Sequence, residues 1–435
     1  MARKNQKQKN QKHRVSQSMP MAASVTEEEA TQNDNQKQTV EEERESFTNA
    51  MTLVNASVLP LALKTVIDLG VLEVLATADP DVGLTAAEIA KRIPALNPEA
   101  PVMLERILRL LMNEDVVYCS HALFDEAPMK YRLGRVGKYF VRDDSGVSLV
   151  PLMALAHDKV YLETWSNLKD AILEGKTPFN RAHGTNLFEY SARDARFSQV
   201  YNTAMFNHTN LVFKKILESY SGFENLKQVV DVGGGIGVAL SLIAFKYPFI
   251  NAINFDLPHV IQHAPPFPGV KHVEGDMFKS VPKGDAIILK TSEMSHMHVI
   301  FKLSSLLLNL VHATWFGLFL IDIMLLMKSK EIIDILQWIL HDWDDEHCLT
   351  LLKNCYLSVP ADGKIIVVEQ ILPTFAEITA VSRDKSQHDM ISLTQTPGGK
   401  ERMQNQLFNL AFSAGFKSVR LVSYVYHYWV MEFLK

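Results

Sequence analysis

The run VVDVGGGIGVALSLIAFKYP carries the first residues whose types and spacing point to chemistry. Gly233, Gly235 and Gly237 allow a tight turn at a strand end, close approach of a ligand to the backbone, and a following helix N-terminus aimed at it. The dinucleotide fingerprint asks for glycine at the first, third and sixth places, but counted from Gly233 the sixth is Val238 and the fifth is Gly237. That spacing, preceded by Asp231, suits a nucleoside ligand with no pyrophosphate to cradle. Asp256 closes the run INFD, where a carboxylate can accept hydrogen bonds from both ribose hydroxyls. Asp276 and Met277, in GDMF, stand at the next strand end and suit an adenine amino group and the apolar face of the ring. The competing reading makes Asp256 a helix cap and Asp276 a turn former.

These residues need a sheet to hold them. KQVVDV, INAINFD, GVKHVEG, GDAIILK, KIIVVEQILP and the terminal YHYWVMEFLK are short apolar or β-branched runs separated by helical or Pro/Gly-rich segments, which predicts a doubly wound, mainly parallel sheet. Before it, residues 149–226 read as amphipathic helices. From Phe47 an all-round apolar helical pattern near Val54 to Leu75 predicts burial in a core or a subunit interface, broken at Gly70. Thr85 and Glu88 form a capping box, and two short helices followed by a β-ribbon resemble a winged helix. A formal charge of −5 and a pI of about 6.3 give no basic stripe, so dimerisation is preferred to nucleic-acid binding. The first 46 residues, a basic block and then an acidic one, hold too little apolar area to offset chain entropy and are expected to be a disordered tail, with an address signal in the basic block as the alternative. Cys119, Cys348 and Cys355 lack metal or disulfide spacing and fit reduced thiols in a cytoplasmic protein.

Further along stand WILHDWDDEHC, VVEQILP and TPGGKERM. Together with VDVGGGIG, NFDLPHVI and PGVKHVEGDMF, and over roughly Phe47 to Lys435, they make the chain resemble the plant caffeic acid and flavonoid O-methyltransferases. The resemblance implies an α/β Rossmann-like methyltransferase domain at 227–435, a helical substrate-pocket and linker segment at 151–226, and an N-terminal, mainly α winged-helix-like dimerisation domain at 47–150. It implies S-adenosyl-L-methionine as cofactor, no metal, a small phenolic substrate of phenylpropanoid or flavonoid type, a homodimer, and neither nucleic acid nor membrane as partner. A phenol with a pKa of about 10 is a poor nucleophile at neutral pH and benefits from a nearby base. His341 is the candidate, with Glu369 and Glu401 matching the family's two flanking acids. By the same carry-over Gly233, Asp256, Asp276, Met277 and Lys290 contact the cofactor, while Phe197, Tyr201, Met205 and His208 line the phenol pocket. Thr396 and Ser392 depart from the family pattern, where Asn and an apolar residue are common. An N-methyltransferase acting on a small aromatic acid or amine would share every motif.

One block interrupts the likeness: Thr291 to Gln337 lies between Lys290 and Trp338, which are continuous in the family. It contains LSSLLLNLVHATWFGLFLIDIMLLM, long enough to span a bilayer, although Asn309 and His312 weaken that reading. A loop insertion at a strand end is a second reading, and translated intron or a faulty gene model a third. An insertion so near the base and the cofactor residues predicts an impaired or inactive enzyme, with a version lacking the block active.

Overall fold

The computed structural model describes residues 27–120, 128–262, 264–289, 339–375 and 377–435. Residues 1–26, Lys290 and the 291–337 block, on all of which sequence expectations fall, lie outside the described residues. The first helices are α1 (Glu27–Val54), α2 (Val58–Asp68) and α3 (Val71–Ala76). The tail expected to be disordered through residue 46 is therefore helical from Glu27 onward. Its Glu, Gln, Lys and Arg content is poor material for a core but has high intrinsic helix propensity. Short-range pairs such as Gln38–Glu42 and Arg44–Glu41, both at 3.3 Å, add to it without any core. On α1 and α2 the apolar Phe47, Leu53, Val54, Val58 and Leu61 are exposed.

A small antiparallel sheet follows, built from β1 (Leu84–Thr85), β2 (Val117–Ser120) and β3 (Lys130–Leu133) in the order β1-β3-β2, around α4 (Ala86–Ala90) and α5 (Ala100–Met112). Thr85 and Glu88 cap α4 reciprocally, with Thr85 N donating to the Glu88 carboxylate at 2.7 Å and Glu88 N donating to the Thr85 hydroxyl at 3.2 Å. Six helices lead on: α6 (Val150–Ala156), α7 (Lys159–Ser166), α8 (Leu168–Glu174), α9 (Pro178–His183), α10 (Leu187–Arg193) and the long α11 (Ala195–Ser219).

The remaining strands and helices are β4 (Gln228–Val232), α12 (Val238–Lys246), β5 (Asn251–Asp256), α13 (Pro258–Ile261), β6 (Val270–Glu274), β7 (Ala286–Leu289), α14 (Asp345–Ser358), β8 (Lys364–Glu369), β9 (Ile371–Leu372), α15 (Ala380–Gln395), β10 (Arg402–Met403), α16 (Gln404–Ala414), β11 (Ser418–Val425) and β12 (Tyr428–Leu434). Seven of these strands form one sheet in the order β11-β12-β8-β7-β4-β5-β6. Its five central strands from β8 to β6 make four parallel pairings, and β12 runs antiparallel between β8 and β11. Six of the seven strands coincide with the runs read from sequence. The seventh, β11, alternates polar and apolar residues at the sheet edge and turns into β12 through Tyr426, at φ 54, where a glycine would have signalled the hairpin.

The sheet is covered on both faces. Val230, Val232, Leu289, Val367 and Met431 pack with α14 and α16 on one side, while Val229, Ile288, Val368 and Val430 pack with α11 and α12 on the other. Leu289, the last described residue of β7, and Ile339, the first described residue beyond the gap, belong to the same core. Among the described residues no single helix is long and apolar enough to cross a membrane.

Tyr220, just past α11, donates to Glu432 of β12 at 2.7 Å, and Lys364 of β8 donates to the same carboxylate oxygen at 2.6 Å. Burial opposes the charge on Glu432, but the Lys364 and Tyr220 hydrogen bonds outweigh it and hold the carboxyl below its ordinary range. Glu432→Ala leaves Lys364 without its partner and is expected to cost roughly 2–3 kcal/mol, read as a lowered denaturant midpoint. This stabilisation is present above the unfolded carboxyl pKa and is lost as pH falls through the depressed folded value.

Candidate active site

Three strand ends on one edge of the sheet make the first part of the site. β4 ends in the glycine turn, where Gly233, Gly235 and Gly237 have φ of 68°, 56° and 88°, and Gly237 leads into α12. At the end of β5, Asp256 accepts from Gly235 N at 2.8 Å with one carboxylate oxygen and from Leu257 N at 2.7 Å with the other. These bonds reach both carboxylate oxygens and fix the side chain against the turn. Beyond β6, Asp276 accepts from Phe278 N at 2.9 Å, so it is a turn former as well as a ligand candidate. Gly233, Asp256, Asp276 and Met277 line a single cavity of about 250 Å³, joined by Phe255, Leu257, Phe278 and Trp343.

Trp343 and Phe278 were not singled out in the sequence, although Phe278 stands beside Met277 and Trp343 two residues from His341. Their rings meet edge to face at 4.9 Å and both line the cavity. A larger cavity of about 850 Å³ lies among Leu75, Met112, Asp115, Tyr118, Arg132 and Arg135 of the N-terminal region, away from every strand end with acceptor chemistry.

The second part is a buried imidazole between two carboxylates. His341 sits in the turn before α14, Glu369 ends β8, and Glu401 immediately precedes β10. A two-residue parallel ladder, Arg402 opposite Ile371 and Met403 opposite Leu372, brings Glu401 alongside the end of β8. His341 Nδ1 lies 3.2 Å from Glu369 and 3.0 Å from Glu401, and all three residues are buried. Glu369 also accepts from Leu340 N at 3.2 Å. Both acids address the same nitrogen, Nδ1. Among the described residues these three are the one group of ligand atoms close enough to bracket a cation; a proton on Nδ1 meets the same electrostatic demand.

Burial pushes the imidazole toward its neutral form. The negative charges of Glu401 and Glu369 and their hydrogen bonds overcome it and hold His341 well above its ordinary pKa. Asp342 moves up as well: burial dominates, attraction to His341 opposes it, and repulsion from Glu369 and Glu401 adds to the rise. Asp389 on α15, raised mainly by burial, accepts from Glu401 N at 2.9 Å.

The four residues expected to line a phenol pocket fall on α11 at spacings that share one face. Phe197 and Tyr201 pack into an aromatic group with Tyr161, Phe179 and Tyr190, and Phe197 is fully buried there. Met205 belongs to the same cluster, while His208 Nε2 lies 3.2 Å from the Tyr428 hydroxyl. None of the four lines the cofactor-sized cavity.

The glycine turn, the acids at the ends of β5 and β6 and a sheet of this strand order, together with the family match, define a Rossmann-like, S-adenosyl-L-methionine-dependent methyltransferase. The chain belongs to the O-methyltransferase family: the O-methyltransferase domain matches residues 165–332 and 330–417, and the O-methyltransferase dimerisation domain matches residues 51–143. The two pieces of the first match meet inside the 291–337 block. Catechol O-methyltransferase 1 of Solanum lycopersicum is 46% identical over 400 residues, covering 91% of this chain and 96% of its own. Anthranilate N-methyltransferase of Ruta graveolens is 44% identical over 395 residues, covering 91% and 95%. The solved structure of human N-acetylserotonin methyltransferase in complex with S-adenosylmethionine has the same fold, with a TM-score of 0.64 at 20% identity over 90% of this chain and 97% of that one.

Removing the Asp256 carboxylate takes away the turn's anchor in the wall of the cavity. Asp256→Ala should weaken cofactor binding by about tenfold or more in titration calorimetry, with the far-ultraviolet spectrum unchanged.

Proposed function

We propose that the protein is a homodimeric cytosolic enzyme that methylates a hydroxyl of a small phenolic, with His341 as general base and Glu369 and Glu401 as the acids that tune and orient it. The observation that carries this reading is the double carboxylate contact on one imidazole nitrogen. An unperturbed imidazole and a phenol differ by about 3.5 pKa units, so proton transfer between them is uphill by roughly 5 kcal/mol. By raising the basicity of His341, the two acids narrow that gap and favour transfer of the phenol proton to the imidazole. Gly233, Asp256, Asp276 and Met277 would hold the adenosine part of the cofactor, and Lys290 is assigned with them from the family pattern. The cofactor supplies an activated methyl group on sulfur. The protein's own work is then to align the phenol oxygen with it and to accept a proton. Phe197, Tyr201, Met205 and His208 are assigned to the wall of the acceptor pocket, Phe197 acting from behind its neighbours. The dimerisation-domain match and the exposed apolar residues of α1 and α2 support the homodimer.

A base must be unprotonated to act, so a raised His341 pKa places the ascending limb of the pH–kcat profile well above pH 6.5. Glu401→Gln removes part of the attraction that raises it and should move that limb to lower pH. His341→Ala is expected to reduce phenol methylation by about two to four orders of magnitude with cofactor affinity unchanged. Full turnover by the alanine variant on an amine but not on a phenol would favour the nitrogen-acceptor reading, which the Ruta graveolens relative supports.

Leu289 and Ile339 pack in one core, so the sheet and the site close around the two flanks of the 291–337 block. A displacement of about 1 Å at a reacting centre costs on the order of a hundredfold in rate, and the block adjoins both the cofactor strand and the base. The purified chain lacking Thr291 to Gln337 should therefore turn over faster than the full chain. Equal rates would sink the idea that the block impairs the enzyme.

A further inference from the structure

We propose that Arg402 is a positioning residue for both reactants, its buried guanidinium fastening the one turn that carries the base His341 and the cavity residue Trp343. Arg402 is among the largest fully buried side chains of the protein. Nη1 donates to Leu340 O, Nη2 donates to Trp343 O at 2.7 Å and to Asp345 Oδ1 at 2.8 Å, and Nε donates to the same Asp345 oxygen at 3.0 Å. The guanidinium thus spans the turn from the residue before His341 to the first residue of α14. Lys400 reinforces it, donating from its backbone N to His341 O at 2.8 Å and from its ammonium to Asp345 at 2.9 Å.

The residues alternate in what they do: Lys400 and Arg402 hold the backbone of the turn, and Glu401 between them touches the imidazole of that turn. One short segment, tied through the Arg402–Ile371 pairing to β9 just beyond the end of β8, therefore sets the distance between Glu401 and His341 and the place of the Trp343 ring in the cavity wall. Only a planar fork of donors reaches three separated acceptors at once. A lysine offers all its donors from a single point.

The His341 part of this inference rests on the reading of that residue as the base; the Trp343 part does not. Arg402→Lys keeps the positive charge, so any change it makes reports geometry. In the folded variant, S-adenosyl-L-homocysteine should bind on the order of tenfold more weakly by calorimetry. The ascending limb of the pH–kcat profile should move toward lower pH as Glu401 and His341 separate, and kcat should fall by about a hundredfold. A merely structural role would lower Tm while leaving the affinity and the limb of the folded molecules at their wild-type values, and that result overturns the proposal. Should Arg402→Lys fail to fold, Asp345→Asn, at a mostly exposed carboxylate, carries the same test: both readouts shift in the same direction to a smaller extent, or the proposal fails. Weakened binding with an unmoved limb would retain the Trp343 part and overturn the His341 part. Wild-type turnover by His341→Ala would instead remove the base reading and leave the affinity prediction standing.

Discussion

Two buried carboxylates on one imidazole nitrogen can coexist only if something positive lies between them. With both carboxylates at 3.2 Å and 3.0 Å from one ring nitrogen, Glu369, Glu401 and His341 form one electrostatic unit. Burial alone would drive the imidazole neutral, and the carboxylates reverse the sign. The neighbours adapt to this unit. Burial drives Asp342 toward its neutral form, and Asp389 accepts a backbone N–H of Glu401. Low dielectric makes such a group costly if any member is displaced by even a small distance, which explains why its supports are short and stiff.

Those supports come from the sheet. β8 delivers Glu369, the β9–β10 ladder delivers Glu401, and the turn before α14 delivers His341, all against the core that contains Leu289, Ile339, Leu340 and Val367. The cofactor-sized cavity opens at the carboxyl ends of β4, β5 and β6, where parallel strands turn into helices and backbone N–H groups are unpaired by the sheet. Trp343 joins the two halves of the site, since it lies two residues from the base and borders the cavity that Asp256 and Asp276 line. One turn thereby carries both the imidazole and part of the cavity wall.

The N-terminal region illustrates where composition misleads. A stretch rich in Glu, Gln and Lys cannot build a core, but a helix needs only local bonds and propensity, and α1 begins at Glu27 on that basis. The apolar run that follows is exposed at Leu53, Val54, Val58 and Leu61 and not sealed within the chain, consistent with a segment matched by a dimerisation domain. β11 escaped notice for a different reason. An edge strand needs one buried face only, and its hairpin uses Tyr426 at positive φ in place of a glycine.

What the sequence by itself determined is the local chemistry: the glycine turn, the acids at strand ends, the capping box and the six strong strands, because each depends on neighbours a few residues away. The nucleoside-type spacing after Gly233 and the acceptor at Asp256 were legible on those grounds alone. Glu369 and Glu401 were legible only through family likeness, since nothing local marks an acid that will face a histidine 28 or 60 residues distant in the chain. The tertiary structure alone decided that both acids take the same imidazole nitrogen, that Trp343 and Phe278 wall the cavity, that Phe197 lies fully buried in an aromatic cluster, and that Arg402 fastens the turn. Each of these depends on distances between segments remote in sequence, which are set by how the sheet and its covering helices pack.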